Sequence, residues 1–295
     1  MNNTLIIGGG KFLGFWIAKE LEKLNCKVTF FNTGNNTPRE FPNFKTIIGN
    51  RKSVKSRSFF EQSRFDAVID LCAYTLEDLN FTKYLKTPHY IFVSTVAVYN
   101  PEIKRNSPES GNKITKHSRN TNNFSTYGYQ KYVTECEILE IYKDSCVLRP
   151  AIILGPRDYT NRLLSYFSQI DLITLPIAND LLFQYIDVMD VARFVSNTLR
   201  REIVGTFNLC SKPIMRDSFF NEVAKVFDAR IEYIQTTDFE KYPYHDKFFN
   251  ENPRCLSSMH AIKNGLKLTP LMETLQVIKS DLALSSLFTE MRDSK

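Results

Sequence analysis

Thr4-Leu5-Ile6-Ile7-Gly8-Gly9-Gly10-Lys11-Phe12-Leu13-Gly14 carries a short apolar run straight into a glycine turn, and Phe15-Trp16-Ile17-Ala18-Lys19-Glu20-Leu21 follows with helical spacing. Strand, glycine turn and helix in that order make a phosphate cradle. Glycines there let the backbone approach a dinucleotide pyrophosphate, whose charge meets the unpaired N–H groups and positive dipole end of the helix. Gly8 and Gly14 stand six apart, as in the Gly-x-x-Gly-x-x-Gly fingerprint, but Lys11 replaces the middle glycine. A purely structural turn between strand and helix is the alternative. A mononucleotide P-loop is disfavoured, because it needs Ser or Thr after Gly-Lys and a glycine where Leu5 stands.

The 295 residues are 43% hydrophobic and 24% charged, the makeup of a globular chain long enough for one large domain or two smaller ones. The net charge of +6 arises from 38 basic and 32 acidic residues. Its clusters, at Lys52, Lys55 and Arg57 and at Lys113, Lys116, His117 and Arg119, read as solvated faces rather than a nucleic-acid footprint. Cys26, Cys72, Cys136, Cys146, Cys210 and Cys255 form no Cys-x-x-Cys pair, so buried thiols in a reducing compartment are expected. His89, His117, His245 and His260 are isolated, and no metal site is expected. Neither a signal peptide nor an apolar run of about 18 residues is present, which points to a cytoplasmic protein without a membrane span.

Lys27-Val28-Thr29-Phe30-Phe31, Phe44-Lys45-Thr46-Ile47-Ile48, Ala67-Val68-Ile69-Asp70-Leu71 and Tyr90-Ile91-Phe92-Val93-Ser94 read as further strands. They are apolar almost throughout, as strands covered by helices on both faces must be, and helical stretches around 59–63 and 76–85 separate them. The alternation predicts an α/β fold with a doubly wound parallel sheet. A polar stretch over 100–125 reads as a mobile surface loop. A helix over 126–142 and a strand Cys146-Val147-Leu148-Arg149-Pro150 follow. The expected organisation is a dinucleotide-binding domain over 1–165, to which segments of 183–210 return, and a smaller mixed α/β substrate domain over 166–295.

Tyr127-Gly128-Tyr129-Gln130-Lys131 places Tyr127 and Lys131 four apart, on one face of a helix. An ammonium beside a phenol favours the phenolate, and is expected to draw Tyr127 from near 10 toward neutrality, by roughly three pH units or about 4 kcal/mol. Such a group serves as a general acid/base. The spacing also arises by chance in a chain with 14 tyrosines. Its context is what counts: Val93-Ser94-Thr95 closes a strand at the ligand crevice, where a hydroxyl can hold the oxygen whose proton Tyr127 moves.

With glycine turn, Ser/Thr strand end and Tyr-x-x-x-Lys helix in this order, the chain resembles the extended short-chain dehydrogenase/reductase superfamily, the NAD-dependent epimerase/dehydratase group, over nearly its whole length. Asp70-Leu71-Cys72-Ala73, Val93 to Tyr99, Leu148-Arg149-Pro150 and Gly155-Pro156-Arg157 add to the likeness. The Gly-Gly-x-basic-Phe-Leu-Gly turn and Gly205-Thr206-Phe207-Asn208 are similar to an atypical branch that includes chloroplast stem-loop RNA-binding proteins and bacterial epimerase-like members. The resemblance implies a Rossmann fold and a catalytic triad of Thr95, Tyr127 and Lys131, with Lys131 also holding the nicotinamide ribose. It further implies Gly8, Gly10 and Gly14 at the pyrophosphate, with Phe12 and Leu13 among the cofactor-binding residues and Leu71, Cys72 and Ala73 beside the cofactor. The implied reaction is hydride transfer at a carbinol or keto carbon of a sugar, most readily a nucleotide-linked one, by an epimerase or oxidoreductase; the implied assembly is a homodimer.

Departures from the pattern narrow the reading. Val96-Ala97 follow Thr95 where 4,6-dehydratases carry Asp-Glu, so elimination is disfavoured. Asn32 closes the second strand where an NAD site carries an acid on the ribose 2′-OH. With Lys11 in the turn, this tilts the cofactor from NAD toward NADP, although Asn32 serves either ribose and Lys11 can equally face solvent. Arg157 and Arg162 are candidates for a substrate diphosphate or plain surface arginines. Tyr242 to Phe249 is a candidate pocket wall. The alternative from another class is a binding protein, for cofactor or RNA, on the same fold with little turnover.

Overall fold

A computed structural model of the chain describes residues 3–35, 40–100, 103–114, 123–177, 182–235 and 255–283. Its elements run β1 (Asn3–Ile7), α1 (Phe12–Lys23), β2 (Lys27–Asn32), β3 (Lys45–Ile48), α2 (Arg57–Gln62), β4 (Ala67–Asp70), β5 (His89–Val93), α3 (Asn123–Ile141), β6 (Cys146–Pro150) and β7 (Ile152–Leu154). They continue β8 (Phe167–Gln169), β9 (Leu172–Pro176), β10 (Leu182–Phe183), β11 (Tyr185–Asp187), α4 (Val188–Arg201), β12 (Gly205–Leu209), β13 (Ile214–Met215), α5 (Arg216–Phe227), β14 (Arg230–Ile234), α6 (Met259–Lys263) and α7 (Leu271–Ala283).

Seven strands form one parallel sheet in the order β12-β6-β5-β4-β1-β2-β3. The chain winds outward from β1 to β3, returns to β4 on the other side of β1, and so leaves a crevice at the carboxyl ends of β1 and β4. Every described residue of β4 and β5 is buried, because helices cover both faces. On one face Ile17, Ala18 and Leu21 of α1 pack with Val191, Phe194 and Val195 of α4. On the other, Phe60, Leu79 and Ile138 pack against Leu5, Val68 and Phe92. A second core, built of Leu164, Ile173, Leu175, Phe219, Phe220, Val223 and Leu275, sits under the small sheet β14-β9-β8, α5 and α7. Asp187 caps α4 by accepting from the N–H groups of Met189 and Asp190, and also accepts from the Thr274 hydroxyl of α7.

Three expectations need correction. The helix expected over 76–85 is two short 3-10 turns, Leu76–Leu79 and Thr82–Tyr84. The Asp78 carboxylate accepts from the N–H groups of Tyr74 and Thr75, which locks a capping box at the first turn. Within the expected mobile loop, residues 103–114 are tied down: Ile114 is buried and its N–H donates to the Val98 carbonyl, and the Glu109 carboxylate accepts from the Asn208 N–H. Cys136 is exposed rather than buried. Tyr242 to Phe249 lie outside the described residues. Among the described residues no helix is long and apolar enough to cross a membrane.

Candidate active site

The glycine turn stands at the carboxyl end of β1. Gly8 adopts φ +88°, and a side chain there would strike the Cys72 sulfur, so the turn and the loop after β4 touch directly. A Cβ on Gly14 would lie 2.6 Å from the Gly9 Cα, and one on Gly9 would enter Ile6 and Phe30. Gly14 is therefore what lets α1 close onto the turn, while Gly9, which the fingerprint spacing passes over, lets the turn sit against β1 and β2. No side chain caps α1, whose N-cap is Lys11 and whose first turn holds no acid. Its N-terminal N–H groups and dipole face the crevice without an internal anion. Gly10 is half-buried, Phe12 and Leu13 are buried, and Lys11 is exposed, its ammonium 4.9 Å from the Tyr159 ring centre.

Asn32 ends β2 with its Oδ1 accepting from the Gly34 N–H, while its buried Nδ2 has no partner. A buried amide nitrogen without a partner at the strand end, a helix with no side-chain cap and a glycine turn could hold a dinucleotide, which would set Asn32 at the adenosine ribose and 8–14 at the pyrophosphate. Leu71, Cys72 and Ala73 follow β4 along the same crevice.

Thr95 follows β5, and its hydroxyl accepts from the Ala97 N–H to cap the 3-10 turn Val96–Val98. α3 lies directly on that turn, because a side chain at Gly128 would strike the Ala97 carbonyl. The close approach brings the Tyr127 phenol beside the Thr95 hydroxyl. Lys131, one helical turn on, is buried with Nζ donating to the Ala73 and Val93 carbonyls at 2.8 Å each. The structure thus unites Thr95, Tyr127 and Lys131 at the crevice.

The expected electrostatics of Tyr127 are overturned. Burial pushes its phenol above the ordinary value, and the Thr95 hydroxyl and the Arg162 guanidinium beside it only partly oppose this. The Lys131 ammonium is spent on two carbonyls, and burial brings it down to about 8. The cation that acts on Tyr127 is Arg162, whose Nη1 also donates to the Ile153 carbonyl and pairs with Asp158 at 3.2 Å. Arg157 is committed elsewhere: it pairs with Glu40 at 2.6 Å, lies 3.8 Å over the Phe15 ring, and its N–H donates to Asp281.

Two buried ion pairs were not singled out from the sequence. Arg51 pairs with Asp70 at the end of β4, and Arg149 with Glu135 on α3. The second is extended by the Tyr99 hydroxyl, which accepts from Arg149 and donates to Asn208. The signals were present as an acid ending an apolar strand and an arginine inside one, but partners 19 and 14 residues away show no helical or strand spacing. Among the described residues no cluster of His, Cys, Asp or Glu could hold a metal.

No protein-family model matches the chain, and neither does any curated protein. Solved structures match it over nearly their whole length. An epimerase from Methanothermobacter thermautotrophicus superposes with a TM-score of 0.76 at 14% identity, over 99% of this chain and 95% of that chain. A Thermus thermophilus UDP-glucose 4-epimerase complexed with NAD gives 0.74 at 15%, over 96% and 99%. A Thermotoga maritima UDP-glucose 4-epimerase with UDP-glucose gives 0.73 at 18%, over 95% and 98%. The chain therefore has the fold of the epimerases of the short-chain dehydrogenase/reductase type, a Rossmann sheet with a smaller C-terminal part.

Proposed function

We propose that the protein is a nicotinamide-dependent epimerase or oxidoreductase acting at a carbinol or keto carbon of a sugar, with Tyr127 as acid/base. The observation that carries this is the Tyr127 phenol brought beside the Thr95 hydroxyl by the close approach of α3 to the Val96–Val98 turn, with Lys131 fixed one helical turn away. A bound nicotinamide supplies the hydride donor and acceptor and, when oxidised, a positive charge that favours the Tyr127 phenolate. The chain supplies the rest. As a phenol, Tyr127 donates its proton to the keto oxygen as hydride reaches the carbon; as a phenolate it takes the hydroxyl proton in the reverse step. Thr95 holds the same oxygen. Val96 and Ala97 provide no carboxylate after Thr95, so the reading includes no elimination.

NADP is favoured over NAD, since Asn32 leaves no carboxylate to repel a 2′-phosphate and Lys11 stands exposed at the turn. A nucleotide-linked sugar suits the site, because Arg162 brings a guanidinium near the phenol and the Thermotoga enzyme of the same fold was solved with UDP-glucose. The test is Tyr127→Phe, assayed with dinucleotide and a panel of UDP-sugars and their keto forms. Loss of turnover with cofactor affinity retained supports the assignment; turnover at the wild-type rate sinks it.

A further inference from the structure

Below the candidate site, Arg51 and Asp70 are both buried, at 6% and 0% exposure. The guanidinium grips the carboxylate end-on, Nη1 to Oδ1 and Nη2 to Oδ2 at 2.7 Å each, while its Nε donates to the Asp78 carbonyl and Nη2 to the Thr82 hydroxyl. Asp70 also accepts the Tyr90 hydroxyl at 2.6 Å and the N–H groups of Cys72 and Ala73 at 3.1 Å. The last two bonds curl the chain after β4, and the Ala73 carbonyl so placed receives the Lys131 ammonium. An unbroken line of hydrogen bonds therefore runs from Arg51 through Asp70 and Ala73 to Lys131.

We propose that Arg51, Asp70 and Tyr90 form a clamp that positions Lys131, within which the Asp70 carboxylate supports the ammonium and Arg51 tempers that support; its bearing on catalysis rests on the function proposed above. Five donors fix Asp70, and its charge is the one that most supports the buried Lys131 ammonium, whose protons are held by the Ala73 and Val93 carbonyls. Lys131 is faced by Asp70 and Cys72 from β4 and the loop after it, and by Arg51 from the loop after β3. Glu135 faces it from its own helix, and the Phe92 and Tyr74 rings lie 4.1 and 5.4 Å from its Nζ. Of these, Asp70 opposes the effect of burial most and Arg51 adds to it.

The opposite signs give the test. In full-length protein with labelled lysine, the Lys131 side-chain resonance, assigned by its loss in Lys131→Arg, is titrated by NMR in wild type, Asp70→Asn and Arg51→Gln. The wild-type midpoint is expected at about 8. Asp70→Asn should lower it by about one pH unit, tenfold in proton affinity, and Arg51→Gln should raise it. A purely structural pair would lower thermal stability in both variants and move neither midpoint, or move both the same way, and either result overturns the clamp. If one variant fails to fold, the sign in the other decides. The readout needs no cofactor or substrate, so a wild type without nicotinamide-linked turnover would overturn the proposed function while leaving this result to stand or fall by itself.

Discussion

At the residue scale the account turns on Tyr127. Its phenol lies beside Thr95 and is kept protonated by burial, so Tyr127→Phe removes the phenol proton without altering the ring's packing against Tyr74, whose centre lies 6.3 Å away. Turnover should fall by about 10²–10⁴-fold, the range for loss of a general acid/base, with dinucleotide affinity changed less than about twofold. That Thr95, Tyr127 and Lys131 meet was legible in the sequence because each has a fixed place: a strand end, and two positions one helical turn apart. Their electrostatics were not. Spacing brings Lys131 near Tyr127, but only the fold reveals that the Ala73 and Val93 carbonyls take its protons and that the cation acting on the phenol is Arg162.

At the scale of elements, the site depends on how closely helices approach turns. α1 closes on the first turn because Gly14 is bare, and α3 closes on the Val96–Val98 turn because Gly128 is. Gly128→Ala places a methyl against the Ala97 carbonyl, and α3 must move away from Thr95 to admit it. A cost of about 1–3 kcal/mol is expected in urea unfolding, together with a larger loss of turnover than of cofactor affinity. A variant as active and stable as wild type would show that the close approach is dispensable. The periodicity of α1 and the central strands was readable because each buries a regular apolar pattern. The segments over 76–85 and 103–114 were not, since a capping aspartate decides the first and distant partners, Val98 and Asn208, hold the second.

At the scale of the whole molecule, the parallel sheet was evident from its uninterrupted apolar strands, whereas the buried titratable groups that stiffen it have no sequence signature. Burial raises Cys72 to about 11, Tyr74, Tyr99, Tyr185 and Cys210 to about 12, and Tyr90, Tyr142 and Cys146 well above their usual values. In the unfolded chain thiols release protons near 9.0 and phenols near 10.0. The fold retains those protons, so the contribution of these groups is complete below pH 9 and is lost as pH climbs through their folded values. Lys131 and Lys113, both lowered to about 8, work the other way between there and 10.5, but are outnumbered. The urea midpoint should therefore fall steadily above pH 9, and a rise would contradict this picture of the interior.

The central claim, a dinucleotide seated on the Gly8–Gly14 turn, is tested most directly by the melting temperature of the purified chain with and without NADP and NAD. A ligand that binds only the folded state raises it by mass action, by about 2.7 kcal/mol of stability at a hundred times Kd. The account predicts a rise with both dinucleotides, larger for NADP. No rise with either would contradict it.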